Sequence, residues 1–262
     1  MHRRVQFPVY IPVGPLRLHP HAVFETLAYF IGFRTYLRLR HRRGDVIADG
    51  TRWSIVAAAI AGAALGSKIL YWFEDPVATW QHLGDPIFLL QGKTIVGALA
   101  GGLIAVEATK KALGIREATG DLFAVPLAVG MAIGRIGCFL TGLSDHTYGV
   151  ATALAWGVDF GDGVPRHPTQ VYEAIFLVCL AVALSRVGRR PHVNGDAFKL
   201  FMVGYLAFRF LVDFLKPATS LGGLSAIQWT AVIVLIGYAR TIRRWYGEAA
   251  GLAPGRTTHG HA

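Results

Sequence analysis

The stretch Arg166-His167-Pro168-Thr169-Gln170-Val171-Tyr172-Glu173-Ala174 packs Arg, His, Gln, Tyr and Glu into eight positions, and the run behind it, Ile175 to Leu184, is almost wholly apolar. Such a run reads as a membrane helix, and polar groups this dense at its mouth are costly unless something uses them. The rest of the chain supports the membrane reading. Of its 262 residues 53% are hydrophobic and only 16% charged, whereas soluble domains carry about a quarter charged residues. The net charge of +10 would suggest nucleic acid in a soluble chain. Here the basic residues sit in short clusters between apolar runs, a pattern of membrane topology rather than of nucleic-acid binding.

Seven helices are expected, at about 22–38, 53–73, 94–109, 122–140, 171–185, 198–215 and 226–241, judged against the roughly 20 residues that a bilayer span requires. The third is short and Gly-rich, with a re-entrant start near Leu89, and Glu25 and Arg34 interrupt the first. An outer segment (1–21) without signal-peptide character precedes this all-α membrane domain (22–246), and a disordered tail (247–262) carrying His259 and His261 follows it. Cys138 and Cys179 both fall in apolar segments. Neither a structural disulfide nor a metal spacing is expected from them, and nothing calls for a cofactor.

Charge orients the bundle. Arg38, Arg40, Arg42, Arg43 and Arg52 lie between the first two helices, Lys110, Lys111 and Arg116 between the third and fourth, and Arg186, Arg189 and Arg190 between the fifth and sixth. Alternate loops hold only Lys93, Arg166 and Lys216 among several acids. The alternation puts the N-terminus outside and the C-terminus in the cytoplasm, outvoting Arg3, Arg4 and Arg17.

That orientation places Glu25, Lys68, Arg135, Tyr172, Glu173, Tyr205, Arg209 and Asp213 in the outer half of their helices. Each charge at mid-membrane costs roughly 2.5–3.5 kcal/mol even on the gentler insertion scale, so a shared wet cavity opening outward is expected. Tyr205, Arg209 and Asp213 recur every four residues on one helix face. Gly134 and Gly137 flank Arg135-Ile136 and allow backbone or ligand to come close. Two arginines in an outward cavity suit a phosphate, whose oxygens the planar guanidinium binds in pairs; at that depth the phosphate is a phospholipid headgroup. Blander readings stay open: Arg209 with Asp213 as a structural pair, Lys68 and Glu25 snorkelling to the surface, Glu107 at a solvated helix end, His146 as simple loop, His19 and His21 as interfacial residues.

These motifs resemble the prolipoprotein diacylglyceryl transferases. Residues 167–173 resemble that family's His-Pro-Ser/Thr-Gln-x-Tyr-Glu motif, Gly134 to Phe139 the start of its Gly-Arg-x-Gly-Asn-Phe signature, and Gly204 to Asp213 its late helix bearing Tyr, Arg and an acid. Gln91 to Gly97, Gly66-Ser67-Lys68 and Gln228 fit as well, in order along nearly the whole chain. The resemblance implies transfer of diacylglyceryl from phosphatidylglycerol to a lipobox cysteine at the outer face of a bacterial inner membrane, releasing glycerol 1-phosphate. It implies that Arg135 and Arg209 hold the phosphate and that Tyr205 and Asp213 orient Arg209. It further implies that His167, Gln170, Tyr172 and Glu173 shape the cavity wall. The family's His, its expected base, is Val96 here; its two asparagines are Cys138 and Thr141, and its Glu is Leu143. Glu25 stands in place of an aromatic. Three readings follow: a prolipoprotein transferase with another base (His167, Asp145 or Glu173), a transferase using the same anionic phospholipid but another acceptor, and a non-catalytic lipid-binding or transport protein. The orientation is checked by reporter fusions: a C-terminal fluorescent protein is expected to glow and a C-terminal alkaline phosphatase to stay silent.

Overall fold

The computed structural model describes residues 6–188, 192–217 and 221–249. In chain order the elements are β1 (Ile11–Val13), β2 (Leu16–Leu18), α1 (Pro20–Arg43), α2 (Asp49–Glu74), α3 (Pro76–Gln81), α4 (Pro86–Leu90), α5 (Ile95–Ala112) and α6 (Asp121–Thr141). A 3-10 turn (Gly142–Asp145) and a hairpin of β3 (Val158–Asp159) and β4 (Pro165–Arg166) lead to α7 (Thr169–Val187) and α8 (Asp196–Val212). A second 3-10 turn (Asp213–Leu215), α9 (Ala226–Gly237) and α10 (Ala239–Ala249) complete the described chain. The tail beyond 249, where disorder is expected, lies outside the described residues.

Three helical stretches among the described residues are long and apolar enough to cross a bilayer: Asp49–Glu74, Asp121–Asp145 and Thr169–Val187; α9 is apolar but short. The others fall short for visible reasons. α1 carries Glu25, Arg34 and Arg38 in its body, α5 ends on Glu107, Lys110 and Lys111, and α8 has 17 residues. The fold is all-α, with two short antiparallel hairpins that pair Ile11 with Leu18 and Val158 with Arg166. One expectation needs correcting. The seventh helix does not run unbroken from 226 to 241: it stops at Gly237, and the amphipathic α10 starts anew at Ala239. An arginine-rich segment with an apolar face suits an interface plane better than a bilayer core.

The described residues form two compact units, one of 6–44, 120–205 and 214–217, the other of 45–119, 206–213 and 221–249. In the first, α1 and α7 pack against α6. The side chain of Asp121 takes the backbone N–H groups of Gly195 (2.8 Å) and Phe198 (2.9 Å), satisfying orphan donors at the start of α8.

The second unit is built on α2 against α5, and small residues decide how close they come. A Cβ on Gly66 would lie 2.4 Å from the carbonyl oxygen of Gly97, and one on Gly101 would lie 2.3 Å from that of Gly62. Backbone therefore meets backbone, as in small-xxx-small membrane pairs, where packing replaces the missing hydrophobic drive. Arg52, counted above among loop charges, is instead fully buried. Its Nε donates to Asp45 (2.7 Å) and its Nη1 to the Thr119 carbonyl (2.9 Å), so it closes the end of this unit at which α2 begins. Gly66→Leu and Gly101→Val are each expected to force the helices apart and cut the yield of folded, monodisperse protein on gel filtration. Gly84→Ala, where an added Cβ meets nothing within 4 Å, is expected to leave the yield unchanged.

Candidate functional site

Helix α7 starts where the opening motif predicts. The Pro168 carbonyl accepts the N–H groups of Val171 (2.9 Å) and Tyr172 (3.2 Å), and the buried Thr169 hydroxyl donates to the Thr147 carbonyl at 2.7 Å. Its buried positions, Gln170, Glu173, Leu177, Leu180, Ala181 and Leu184, recur at three- and four-residue spacing. The two polar members of the motif thus share one face with the apolar stripe behind them. They face inward because the stripe does.

Glu173 is 1% exposed and joins two other elements. One carboxylate oxygen accepts the Tyr205 hydroxyl of α8 at 2.7 Å, and the other lies 3.0 Å from Nε of Arg135 on α6. Arg135 is 6% exposed and Tyr205 fully buried. A guanidinium in such a place requires an opposite charge, and removing one partner of a buried pair costs about 3–5 kcal/mol. Gln170, one turn before Glu173, is 1% exposed, yet neither its amide nitrogen nor its amide oxygen has a hydrogen-bond partner among the described residues. Such a group costs about 1–3 kcal/mol and is uncommon in native interiors. Gly134 has open space on its Cβ side, whereas Gly137 is pressed against Phe24 and His21 of α1.

The rest of the motif builds the wall outside this network. Tyr172 receives the indole N–H of Trp156 at 2.8 Å and lies 3.3 Å from Nδ1 of His167. The backbone of His167 pairs with Gly149 and Val150. Arg166 donates to Asp162 at 2.7 Å and stands 5.3 Å over the Tyr148 ring. Its guanidinium holds the Asp162 carboxyl below the ordinary carboxylate range.

A second cluster lies in the same unit. His21, in the first turn of α1, places Nδ1 3.0 Å from Asp145 and Nε2 3.5 Å from Glu25, which also accepts the Tyr29 hydroxyl at 3.2 Å. Cys138 has its sulfur 3.7 Å from Nη1 of Arg135. His21, Cys138 and Asp145 bring one ligand atom each within 4.8 Å of one another. Sequence reasoning missed this grouping, since the three come from α1, α6 and the following turn, and Asp145 stood there only as a candidate base and His21 as an interfacial residue.

In the other unit Arg209 is fixed as the four-residue spacing suggests, with Nη2 3.0 Å from Asp213. The other Asp213 oxygen accepts the Ser225 hydroxyl, and Ser225 caps α9 in a capping box with Gln228. Gln228 also donates to the Phe210 carbonyl at 3.0 Å, tying the start of α9 to the end of α8. Tyr205 donates its hydroxyl to Glu173. Lys68 donates to the backbone carbonyls of Leu90, Gln91 (3.3 Å) and Gly92 (2.6 Å), at the C-terminal end of α4 where a cation is favoured. Val96 is 1% exposed at the start of α5, an apolar packing position with nothing to titrate.

Apolar helices that carry buried arginine–carboxylate networks define a helical membrane protein. The chain belongs to the prolipoprotein diacylglyceryl transferase family, whose model matches residues 8–243. It is 33% identical over 255 residues to the phosphatidylglycerol–prolipoprotein diacylglyceryl transferase of Bordetella bronchiseptica, covering 88% of this chain and 92% of that one. The transferase of the same name from Cupriavidus necator is 33% identical over 271 residues (93% and 95% covered), and that of Geobacter sulfurreducens 30% over 228 residues (84% and 85%).

Stability separates the two kinds of buried polar group. Glu173→Ala, which leaves Arg135 without its partner, is expected to lower the unfolding midpoint in detergent by several degrees. Gln170→Leu removes an amide that bonds nothing among the described residues, and is expected to leave the midpoint equal or higher while lowering activity.

Proposed function

We propose that this chain moves a diacylglyceryl group from phosphatidylglycerol to the cysteine thiol of a prolipoprotein at the outer face of a bacterial inner membrane. The observation that carries the reading is Arg135, buried and charge-balanced by Glu173, with the Gln170 amide, one turn before Glu173, without a partner of its own among the described residues. Such an arrangement suits an anionic, hydrogen-bonding ligand. Family membership supports the reaction class, and the relatives' names support phosphatidylglycerol as donor and a prolipoprotein as acceptor. Those names favour this reading over a different acceptor or a non-catalytic lipid binder.

In the reaction, the acceptor sulfur attacks the glyceryl carbon that bears the phosphate ester. A C–S bond forms, the C–O bond breaks, and glycerol 1-phosphate leaves with the electron pair while the thiol proton passes to a base. Charge develops on the leaving phosphate, so donors fixed beforehand lower the barrier most. We assign Arg135 to that phosphate, its planar fork held in orientation by Glu173 and Tyr205. Arg209, steadied by Asp213 and Ser225, is assigned to the same kind of ligand. The open side of Gly134 admits the headgroup, the Gln170 amide bonds it, and His167 and Tyr172 line the approach. Lys68 is assigned to holding the chain after α4, and Glu25 to steadying His21. Seven spans with the N-terminus outside and the C-terminus in the cytoplasm belong to this reading, supported by the alternation of basic loops.

The test is complementation of a strain depleted of its own lipoprotein transferase. Wild type is expected to restore growth, and Arg135→Ala and Arg209→Ala to fail at equal membrane abundance. Absence of rescue by well-expressed wild type would contradict the prolipoprotein acceptor.

A further inference from the structure

Gly137 lets the first turn of α1 settle on α6. A Cβ there would stand 2.7 Å from Cβ of Phe24 and 3.4 Å from Cα of His21. The contact sets His21 beside the next residue of α6, Cys138. After Thr141 the chain turns through Gly142–Asp145 and brings Asp145 back to the same place, with its carboxylate 3.0 Å from His21 Nδ1. We infer that His21, Cys138 and Asp145 bind a divalent ion of the zinc class, leaving an open coordination position that takes a thiolate.

The geometry is close to what such an ion needs. Ligand atoms around a tetrahedral zinc with bonds of about 2.0–2.3 Å lie about 3.3–3.8 Å apart. Here all three lie within 4.8 Å of one another before any ion draws them in. Imidazole, thiolate and carboxylate together suit zinc, whereas calcium and magnesium take oxygen alone. The thiolate and the carboxylate match the charge of a divalent ion. The Arg135 guanidinium, 3.7 Å from the sulfur, favours the thiolate, and Glu173 offsets its charge toward the ion.

The outer contacts are those of a metal ligand set. Histidines that bind metals commonly give their second ring nitrogen to a carboxylate, and ligating carboxylates are themselves hydrogen-bonded. Nε2 of His21 faces Glu25 at 3.5 Å, and Thr147 donates its hydroxyl to Asp145. The Asp145 side chain is 7% exposed and that of His21 30%, so the cluster is walled on one side and reachable on the other.

Three protein ligands with one open position is the arrangement of catalytic rather than structural zinc, and a thiol bound there loses its proton outright. Resting on the transfer reading, this supplies the deprotonation for which the buried Val96 offers no base: the acceptor thiol binds the ion, releases its proton to solvent and attacks as thiolate.

The test uses the full chain purified in detergent and titrated with cobalt(II). Wild type is expected to bind one equivalent and to develop thiolate-to-cobalt charge-transfer absorption. His21→Gln, and Cys138→Asn, which restores the residue of the family signature, are expected to lose both. Wild type binding no more cobalt than Cys138→Asn overturns the site, whatever the outcome of complementation. A lipobox peptide with cysteine is expected to alter the visible cobalt spectrum and its serine counterpart to leave it unchanged. Cobalt bound in wild type but indifferent to the cysteine peptide overturns the open thiolate position alone.

Discussion

Glu173 takes a tyrosine hydroxyl on one oxygen and faces a guanidinium with the other, and both partners are buried too. Three helices, α6, α7 and α8, meet through this one carboxylate. An arginine deep in a membrane protein is tolerated only when something matches its charge. The acid therefore does two things: it makes Arg135 affordable, and it fixes the direction in which the remaining guanidinium nitrogens point. A ligand that approaches them meets donors already oriented, which is the condition under which electrostatic stabilisation is most effective.

Within each unit, close backbone packing makes the helices stiff. Gly62, Gly66, Gly97 and Gly101 bring α2 and α5 into backbone contact, while Gly137 and Gly130 let α1 press on α6. In lipid, where apolar side chains gain nothing by leaving their solvent, such contacts and a few internal hydrogen bonds carry the association. The Arg209–Asp213–Ser225 chain follows the same logic in the other unit, turning a helix cap into the support of a charged side chain.

Much of this was legible because it is local. The inward face of α7 follows from spacing alone, as does the pairing of Arg209 with Asp213 one turn away, and the expected helices lie within a few residues of the observed ones except at Tyr238. What escaped is what the fold brings together from a distance. Arg52 looked like another loop cation until Asp45 and Thr119 enclosed it. Lys68 meets carbonyls some 22 to 24 residues onward. Cys138 read as one more residue of an apolar run, because His21 and Asp145 reach it only after α1 packs on α6 and the chain turns at Gly142. The helix bearing Val96 showed an absence and nothing of a substitute.

The central claim, that Arg135 held by Glu173 stabilises the leaving phosphate of a phospholipid, is tested most directly by reconstituted transfer. Purified chain in vesicles containing phosphatidylglycerol is given a lipobox-cysteine peptide, and the peptide's mass is followed with time. The account predicts addition of one diacylglyceryl group by wild type, and a rate lowered about 100-fold by Arg135→Lys, which keeps the charge but loses the planar fork. Transfer by Arg135→Lys at the wild-type rate would contradict it.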